Sequence, residues 1–126
     1  MLREDWNYRR GDIYMADLGE RTGSEQGGVR PVIVLQNDVG NFFSPNITIV
    51  PVTSKDKKPD QPTHCELVNV RGLDLRSTAL GECVETISKQ RVIRYLGRLK
   101  KKELKGVEEA VKAHLGFYVP ESVEAP

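Results

Sequence analysis

Residues 23–31, GSEQGGVRP, separate two apolar runs of the chain, at residues 13–18 and 32–35. Both runs are short, and the second is continuous and rich in β-branched residues, which favours strands. The adjacent glycines within the quoted stretch allow backbone conformations that a Cβ atom would forbid. The pattern therefore predicts two strands joined by a mobile polar loop.

Arg30 stands at the end of this loop. Pro31 disfavours the helical region for the residue before it, so we expect Arg30 to enter the second strand extended. A guanidinium held there suits a phosphate, because its planar fork donates two parallel hydrogen bonds and stays charged at every working pH. Taken alone, the loop is equally consistent with a plain connection that carries a surface arginine.

Composition predicts one ordinary globular domain in 126 residues. Nineteen basic and 18 acidic residues give a net charge of +1, so a nucleic-acid partner would require basic residues clustered on one face. No apolar run reaches the length of a signal peptide or a membrane span, so we expect a soluble, cytoplasmic protein. Two cysteines do not form a disulfide framework, and free thiols are expected.

The other apolar patterns predict a mainly β fold with one C-terminal helix. Further strands are expected at residues 46–54, 63–68, 78–88 and 91–99, and the helix at 101–115. Short strands followed by one helix favour a small curved barrel over a βαβ fold.

Three finer expectations concern particular residues and the chain ends. Pro51 predicts an edge position or a bulge, and Phe42 and Phe43 are expected to anchor a surface loop in the core. Residues 1–9 are expected to be a polar extension in which Trp6 docks on the body. Residues 10–119 form the domain, and residues 120–126 a tail.

The polar residues favour chemistry without a metal or a cofactor. His64 and Cys65 are adjacent and would project from opposite faces of a strand, and no cysteines or histidines have structural zinc spacing. Acidic residues are scattered, and the glycines lack the spacing of a phosphate-binding or dinucleotide loop. No nucleophile-elbow motif occurs.

The remaining candidates are Arg30, Ser24 and Gln26 of the first loop, with Thr53 at the end of the third strand. If the strands that carry Arg30 and Thr53 are antiparallel neighbours, the two ends lie side by side. A cation and a hydroxyl would then share one site. That arrangement suits phosphoryl transfer without metal, with an RNA 2′-hydroxyl as nucleophile and the protein stabilising a charged transition state.

Taken together, these residues resemble the MazF/PemK family of toxin endoribonucleases. The motifs that carry the resemblance are RGDIY at 10–14, ADL at 16–18, GSEQGGVRPV at 23–32, QND at 36–38, PVT at 51–53 and KQR at 89–91. Their order is more specific than any one of them. The resemblance implies an SH3-like small β-barrel of the MazF/CcdB toxin type, acting as a homodimer in the cytoplasm.

The resemblance also implies an activity and its partners. The activity is sequence-specific, metal-independent cleavage of single-stranded RNA or mRNA, leaving 2′,3′-cyclic phosphate and 5′-hydroxyl ends. The partners are a cognate antitoxin, whose flexible tail covers the RNA site, and operator DNA only through that antitoxin. No cofactor is implied.

Residue by residue, the family pattern places the catalytic pair on Arg30 and Thr53. The RNA-contacting positions are Ser24, Glu25, Gln26, Gly28, His64 and Cys83. Since a guanidinium hardly deprotonates in proteins, stabilising the phosphorane is the role expected of Arg30, with Thr53 orienting the phosphate.

The chain departs from the pattern at residues 82–85, where it has Glu-Cys-Val-Glu and closely similar sequences have Glu-Gln-Ile-Arg. Cys83 cannot copy the two-point contact of a glutamine amide, so an altered cleavage-site preference is one interpretation. A small packed residue at a dimer interface is the other. Two further functions stay open on sequence: a non-enzymatic toxin of the same fold that inhibits DNA gyrase, and a small-barrel nucleic-acid-binding module.

Overall fold

The computed structural model describes residues 2–23, 26–55 and 61–117. Within these ranges the chain forms seven strands and two helices. In chain order they are β1 (Asp12–Asp17), β2 (Val29–Val34), α1 (Asp38–Phe43), β3 (Asn46–Thr53), β4 (His64–Val68), β5 (Arg76–Leu80), β6 (Glu85–Ser88), β7 (Val92–Arg98) and α2 (Lys101–His114). Short 3₁₀ turns at Gly81–Cys83 and Lys89–Arg91 flank β6.

The strands form one antiparallel sheet in the order β4-β5-β3-β2-β1-β7, and β6 also pairs with β3. The path ends at β4 on one side and at β7 on the other, so the sheet is barrel-like without being closed. The predicted class, mainly β with a C-terminal helix, is confirmed.

The two faces of β1 bury different cores, as its alternating pattern predicts. Ile13 belongs to the cluster that includes Val50 and Val107, whereas Tyr14 and Ala16 belong to the other cluster. Both faces of the sheet are therefore covered, one of them by side chains of α2.

Helix α2 packs against β4 and the turn at Gly81–Cys83. Val107 and Val111 of its predicted apolar stripe are buried, while Leu115, just past the end of the helix, is exposed. Gly116 follows with φ +84°, a conformation that suits the predicted helix stop.

The predicted single strand at residues 78–88 is wrong, because the chain breaks there into β5, a 3₁₀ turn and β6. Gly81 marks the break. A Cβ atom on Gly81 would lie 2.8 Å from the backbone of Ala110 and 2.8 Å from the carbonyl oxygen of Thr63. The close backbone approach expected at this glycine is confirmed, and it brings α2 onto the sheet.

The edge position that was one alternative for Pro51 is wrong, and so is the buried position of Phe42 and Phe43. Strand β3 is not at an edge, since β2 pairs along one side of it while β6 and β5 follow one another along the other. Pro51 lies between the end of the β6 pairing at Ile49 and the start of the β5 pairing at Val52, where a missing donor is tolerated. Phe42 and Phe43 are 68% and 77% exposed rather than anchored in the core.

The N-terminal residues dock on the body, as predicted for Trp6. Tyr8 is buried, and the indole Nε1 of Trp6 donates a hydrogen bond of 2.8 Å to the hydroxyl of Tyr14. Among the described residues, no helix is both long and apolar enough to span a membrane.

Candidate active site

The register of β2 and β3 places the ends that carry Arg30 and Thr53 side by side. These strands are antiparallel neighbours, with Val32 paired to Pro51 and Ile33 to Val50. The pairing ends at Val32 and Pro51, two residues from Arg30 on β2 and two residues from Thr53 on β3. Arg30 and Thr53 therefore stand at neighbouring strand ends, and their joint action on one phosphate is a proposal.

Arg30 is held by its own loop. Its Nε donates to the carbonyl oxygen of Gly27 at 2.9 Å, and its Nη1 donates to the side-chain oxygen of Gln26 at 2.6 Å. On the other side, Arg30 pairs with Ala16 of β1. The guanidinium is thus held by the hydrogen bonds that it donates to the loop, and its backbone is held by the pairing with β1.

Thr53 is 5% exposed at the end of β3, and its backbone pairs with Thr78 of β5. Its Oγ1 accepts a hydrogen bond of 3.2 Å from the backbone N–H of Lys55. A hydroxyl has a donor hydrogen as well as acceptor lone pairs, so Oγ1 can still donate to a phosphate oxygen.

The loop between β1 and β2 is closed at its base by backbone hydrogen bonds. The N–H of Gly28 donates to the carbonyl of Gly19 at 2.8 Å, and the N–H of Leu18 donates to the carbonyl of Gly28 at 2.9 Å. Gly28 has φ +72°, which requires glycine or a strained residue. The predicted RNA-contacting residues Ser24 and Glu25 lie outside the described residues.

Cys83 lies beside this loop, in the 3₁₀ turn before β6 rather than in a strand. Burial raises the pKa of its thiol, with the carboxylates of Glu82 and Glu85 acting in the same direction. A hydrogen bond from the backbone N–H of Gln26 and the charge of Arg30 oppose the rise. The thiol therefore stands next to the residues that hold Arg30.

His64 begins β4 and reaches the site's edge through Glu82. Its Nε2 lies 2.9 Å from a carboxylate oxygen of Glu82. Burial opposes ionisation of Glu82, but hydrogen bonds from its own backbone N–H and from His64 outweigh it and lower the pKa of the carboxyl. His64 is thus held at Glu82, the residue that precedes Cys83.

Sequence reasoning missed the ion pair between Arg21 and Glu85. Nη1 and Nη2 of Arg21 donate to the two carboxylate oxygens of Glu85 at 3.1 and 2.9 Å, and its Nε donates to the carbonyl of Leu18 at 2.8 Å. The pair ties the β1–β2 loop to β6. The signal that could have found it is Glu85 itself, which stands where closely similar sequences have an arginine.

These contacts define a small site with one fixed cation, one buried hydroxyl and an amide beside them. The guanidinium of Arg30 can exchange its bond to Gln26 for a phosphate oxygen, since the phosphate oxygen is charged and the amide oxygen of Gln26 is neutral. Glu82 and Glu85 lie toward Cys83 and are each taken up by a partner, His64 or Arg21. The site therefore suits an anion that is bound by Arg30 and oriented by Thr53.

Comparison with known proteins gives the class. A model of the PemK-like, MazF-like toxins of type II toxin-antitoxin systems matches residues 9–115. The chain belongs to this toxin family. It is 41% identical over 118 residues to "Endoribonuclease MazF" of Staphylococcus saprophyticus subsp. saprophyticus, covering 93% of this chain and 98% of that protein.

Solved structures share the fold. MazF (Form-I) from Deinococcus radiodurans matches with a TM-score of 0.78 and 24% identity, over 89% of this chain and 99% of that one. An endoribonuclease in complex with its cognate antitoxin, from Mycobacterial species, matches with a TM-score of 0.69 and 22% identity, over 90% and 98% of the two chains.

Proposed function

We propose that this chain cleaves single-stranded RNA at a phosphodiester held between Arg30 and Thr53. It is a toxin endoribonuclease, given its family and its 41% identity to a curated enzyme of that name over nearly the whole chain. The observation that supports the proposed site is the β2–β3 register, whose antiparallel pairing ends two residues from Arg30 and two residues from Thr53.

In the proposed reaction the 2′-hydroxyl oxygen of the RNA attacks the adjacent phosphorus. A P–O2′ bond forms as the 2′-hydroxyl loses its proton to water, and the P–O5′ bond breaks as O5′ takes a proton from water. The products are a 2′,3′-cyclic phosphate and a 5′-hydroxyl. Charge builds on the non-bridging oxygens in the transition state. Arg30 would stabilise that charge in place, and Thr53 would donate to one of those oxygens, since groups fixed where charge develops cost no reorganisation.

The substrate is proposed to extend from this phosphate over the β1–β2 loop and the 3₁₀ turn. Gln26 binds the guanidinium, the thiol of Cys83 lies within reach of its charge, and Gly28 belongs to the same loop. His64 lies next to Glu82. Ser24 and Glu25 complete the proposed set by the family pattern. Since a thiol makes weaker hydrogen bonds than an amide, Cys83 is proposed to shift the preference for the cleaved sequence.

The assembly is proposed on the same grounds. A homodimer, an antitoxin whose tail covers the site, and contact with operator DNA only through that antitoxin follow the family pattern, as does a cytoplasmic location. Residues 10–119 would form the functional domain. Sedimentation at micromolar concentration tests the dimer, and a monomer there would remove it.

Product analysis tests the reaction. The purified protein is incubated with a long unstructured RNA in excess EDTA, and with the same RNA carrying a 2′-deoxyribose at the mapped cleavage site. We expect cleavage of the first RNA with cyclic phosphate ends, and none at the deoxy position. Cleavage at the deoxy position, or loss of all cleavage in EDTA, would remove the proposed chemistry.

A further inference from the structure

A second cavity lies at the other end of β1, between the N-terminal segment and β7. It measures about 330 Å³ and is lined by Arg3, Asp5, Trp6, Asn7, Arg9, Asp12, Tyr95 and Arg98. None of these residues belongs to the site described above. The cavity is therefore separate from the proposed active site.

Aromatic rings form one side of this cavity. The ring centroids of Trp6 and Tyr95 lie 5.5 Å apart, and Tyr95 is 41% exposed. The indole is fixed from behind, because Trp6 donates to the hydroxyl of Tyr14, which in turn donates to Asp12 at 2.6 Å. Fixed, partly exposed aromatic rings are the surfaces on which proteins stack single-stranded bases.

Guanidinium groups form the rim. The Nε of Arg98 lies 3.9 Å from a carboxylate oxygen of Asp12, and the Nε of Arg3 lies 3.6 Å from one of Asp5. These pairs are long, and the arginine side chains are 48% and 76% exposed. Because both pairs are long and both guanidinium groups are exposed, each guanidinium can turn to a phosphate, which accepts charge-assisted hydrogen bonds.

The carboxylates do not make the cavity acidic. Asp12 is buried and accepts hydrogen bonds from the hydroxyl of Tyr14 and the backbone N–H of Arg9. Counting Arg9 with the two rim arginines, three cations face two carboxylates. The net charge is positive, as a phosphate requires.

The cavity also stands on the strand that borders the proposed active site. Ala16 of β1 pairs with Arg30, while Tyr14 and Asp12 precede it on the same face of that strand. Four residues of strand, from Asp12 to Ala16, span about 13 Å. About that distance along β1 therefore separates the cavity from the residue that pairs with Arg30.

We infer that this cavity is a second RNA-binding site, which stacks one base of the substrate on Trp6 and Tyr95 and binds a neighbouring phosphate through Arg3, Arg9 and Arg98. It rests on the proposed function for the identity of its ligand. It would strengthen binding of RNA outside the cleaved phosphodiester and take no part in the chemical step.

Trp6 is the only tryptophan of the chain, so tryptophan fluorescence reports on the surroundings of this one side chain. The probe is a short 2′-O-methyl oligoribonucleotide, which lacks the attacking hydroxyl. Two competitors of equal length are an abasic oligonucleotide and a polyglutamate peptide. We expect saturable quenching by the probe, weaker binding of the abasic chain and none of the peptide. Quenching by the peptide alone would overturn the inference in favour of an acidic protein segment.

Variants separate stacking from charge. Tyr95→Leu removes the flat ring while keeping an apolar side chain, and it should weaken probe binding at least about fivefold. Arg9→Ala, at an exposed residue, should lower the slope of log affinity against log salt by about 0.7. Arg76→Ala removes an exposed arginine from β5 and should change neither. Unchanged affinity in both cavity variants, or fluorescence that ignores bound probe, overturns the inference.

Arg30→Ala separates this inference from the proposed function. If that variant loses cleavage but keeps the Trp6 quenching, the proposed active site and the second RNA-binding site are both supported. If it keeps cleavage while the quenching still depends on Tyr95, the active site is wrong and the second site stands. If it loses cleavage and Trp6 never responds to RNA, the second site alone is wrong.

Discussion

Arg21 donates to both carboxylate oxygens of Glu85, and so joins the β1–β2 loop to β6 across 64 positions of sequence. The side chains are 21% and 26% exposed, so water screens the pair only in part. The loop is packed against Arg21 as well, since a Cβ on Gly27 would lie 2.8 Å from its Cγ. The ion pair therefore positions the loop that aims Arg30.

Reversing this pair should slow cleavage and restoring it should recover the rate. Arg21→Glu and Glu85→Arg each place like charges together and release the loop, and we expect each to lower kcat/KM about tenfold. The double variant reforms the pair with its charges exchanged. A coupling free energy of about 1 kcal/mol or more is expected from the double-mutant cycle.

The control for this cycle is Arg76→Glu with Glu66→Arg, which reverses an exposed pair between β5 and β4. It should leave kcat/KM unchanged. Additive effects of the Arg21 and Glu85 changes would show that the pair does not position the loop.

The pair between His64 and Glu82 predicts a pH dependence of stability. The pKa of Glu82 is lowered in the folded chain, so its contribution is present above its unfolded pKa of 4.5. As pH falls below that value, the unfolded chain binds the proton first and the contribution is lost. Urea unfolding between pH 7 and 3 should show a smaller loss of stability for Glu82→Gln than for the natural chain. If the free energy of unfolding falls equally with pH in both proteins, Glu82 does not contribute to this pH dependence.

Cys83 predicts a slow but damaging reaction with alkylating agents. Burial raises the pKa of its thiol from 9.0, so little thiolate is present at neutral pH. In a Cys65→Ser background, iodoacetamide should inactivate slowly at pH 7, and the rate should keep rising above pH 9. Bound 2′-O-methyl RNA should protect. Full activity after complete alkylation would show that RNA does not pass Cys83.

Substitution of Gly81, which is outside the proposed catalytic pair, should destabilise the fold. A methyl group there meets the backbone of Ala110 and Thr63 at 2.8 Å, and backbone cannot move aside as a side-chain tip can. Gly81→Ala should lower the free energy of unfolding by about 1–3 kcal/mol. Chemical denaturation measures it, and an unchanged midpoint would contradict the close packing of α2 on this turn.

The sequence predicted most of the strands and the antiparallel pairing of β2 with β3, because period-two alternation marks the strands and the two runs are adjacent in the chain. It did not reveal the break at Gly81, since that depends on where α2 comes to rest. The exposure of Phe42 and Phe43 was missed for a similar reason. An aromatic pair in a turn is indistinguishable by pattern from one that is buried.

The contacts of the N-terminal segment and the Arg21–Glu85 pair could not be predicted from local sequence patterns either. Trp6 was expected to dock, but its contacts with Tyr14 and Tyr95 join residues that no local pattern links. Arg21 and Glu85 meet only because β6 pairs with β3 in one register. The register of strands that are distant in the chain decides these contacts, and local sequence patterns do not predict that register.

The most direct test of the account is single-turnover cleavage by Arg30→Ala, Thr53→Val and the double variant, with folding checked by circular dichroism. Since both residues are proposed to act on one phosphate, each single change should slow the chemical step at least about a hundredfold. The double variant should be little slower than the worse single one. Near-natural rates in either single variant, or fully multiplicative losses in the double variant, would contradict the account.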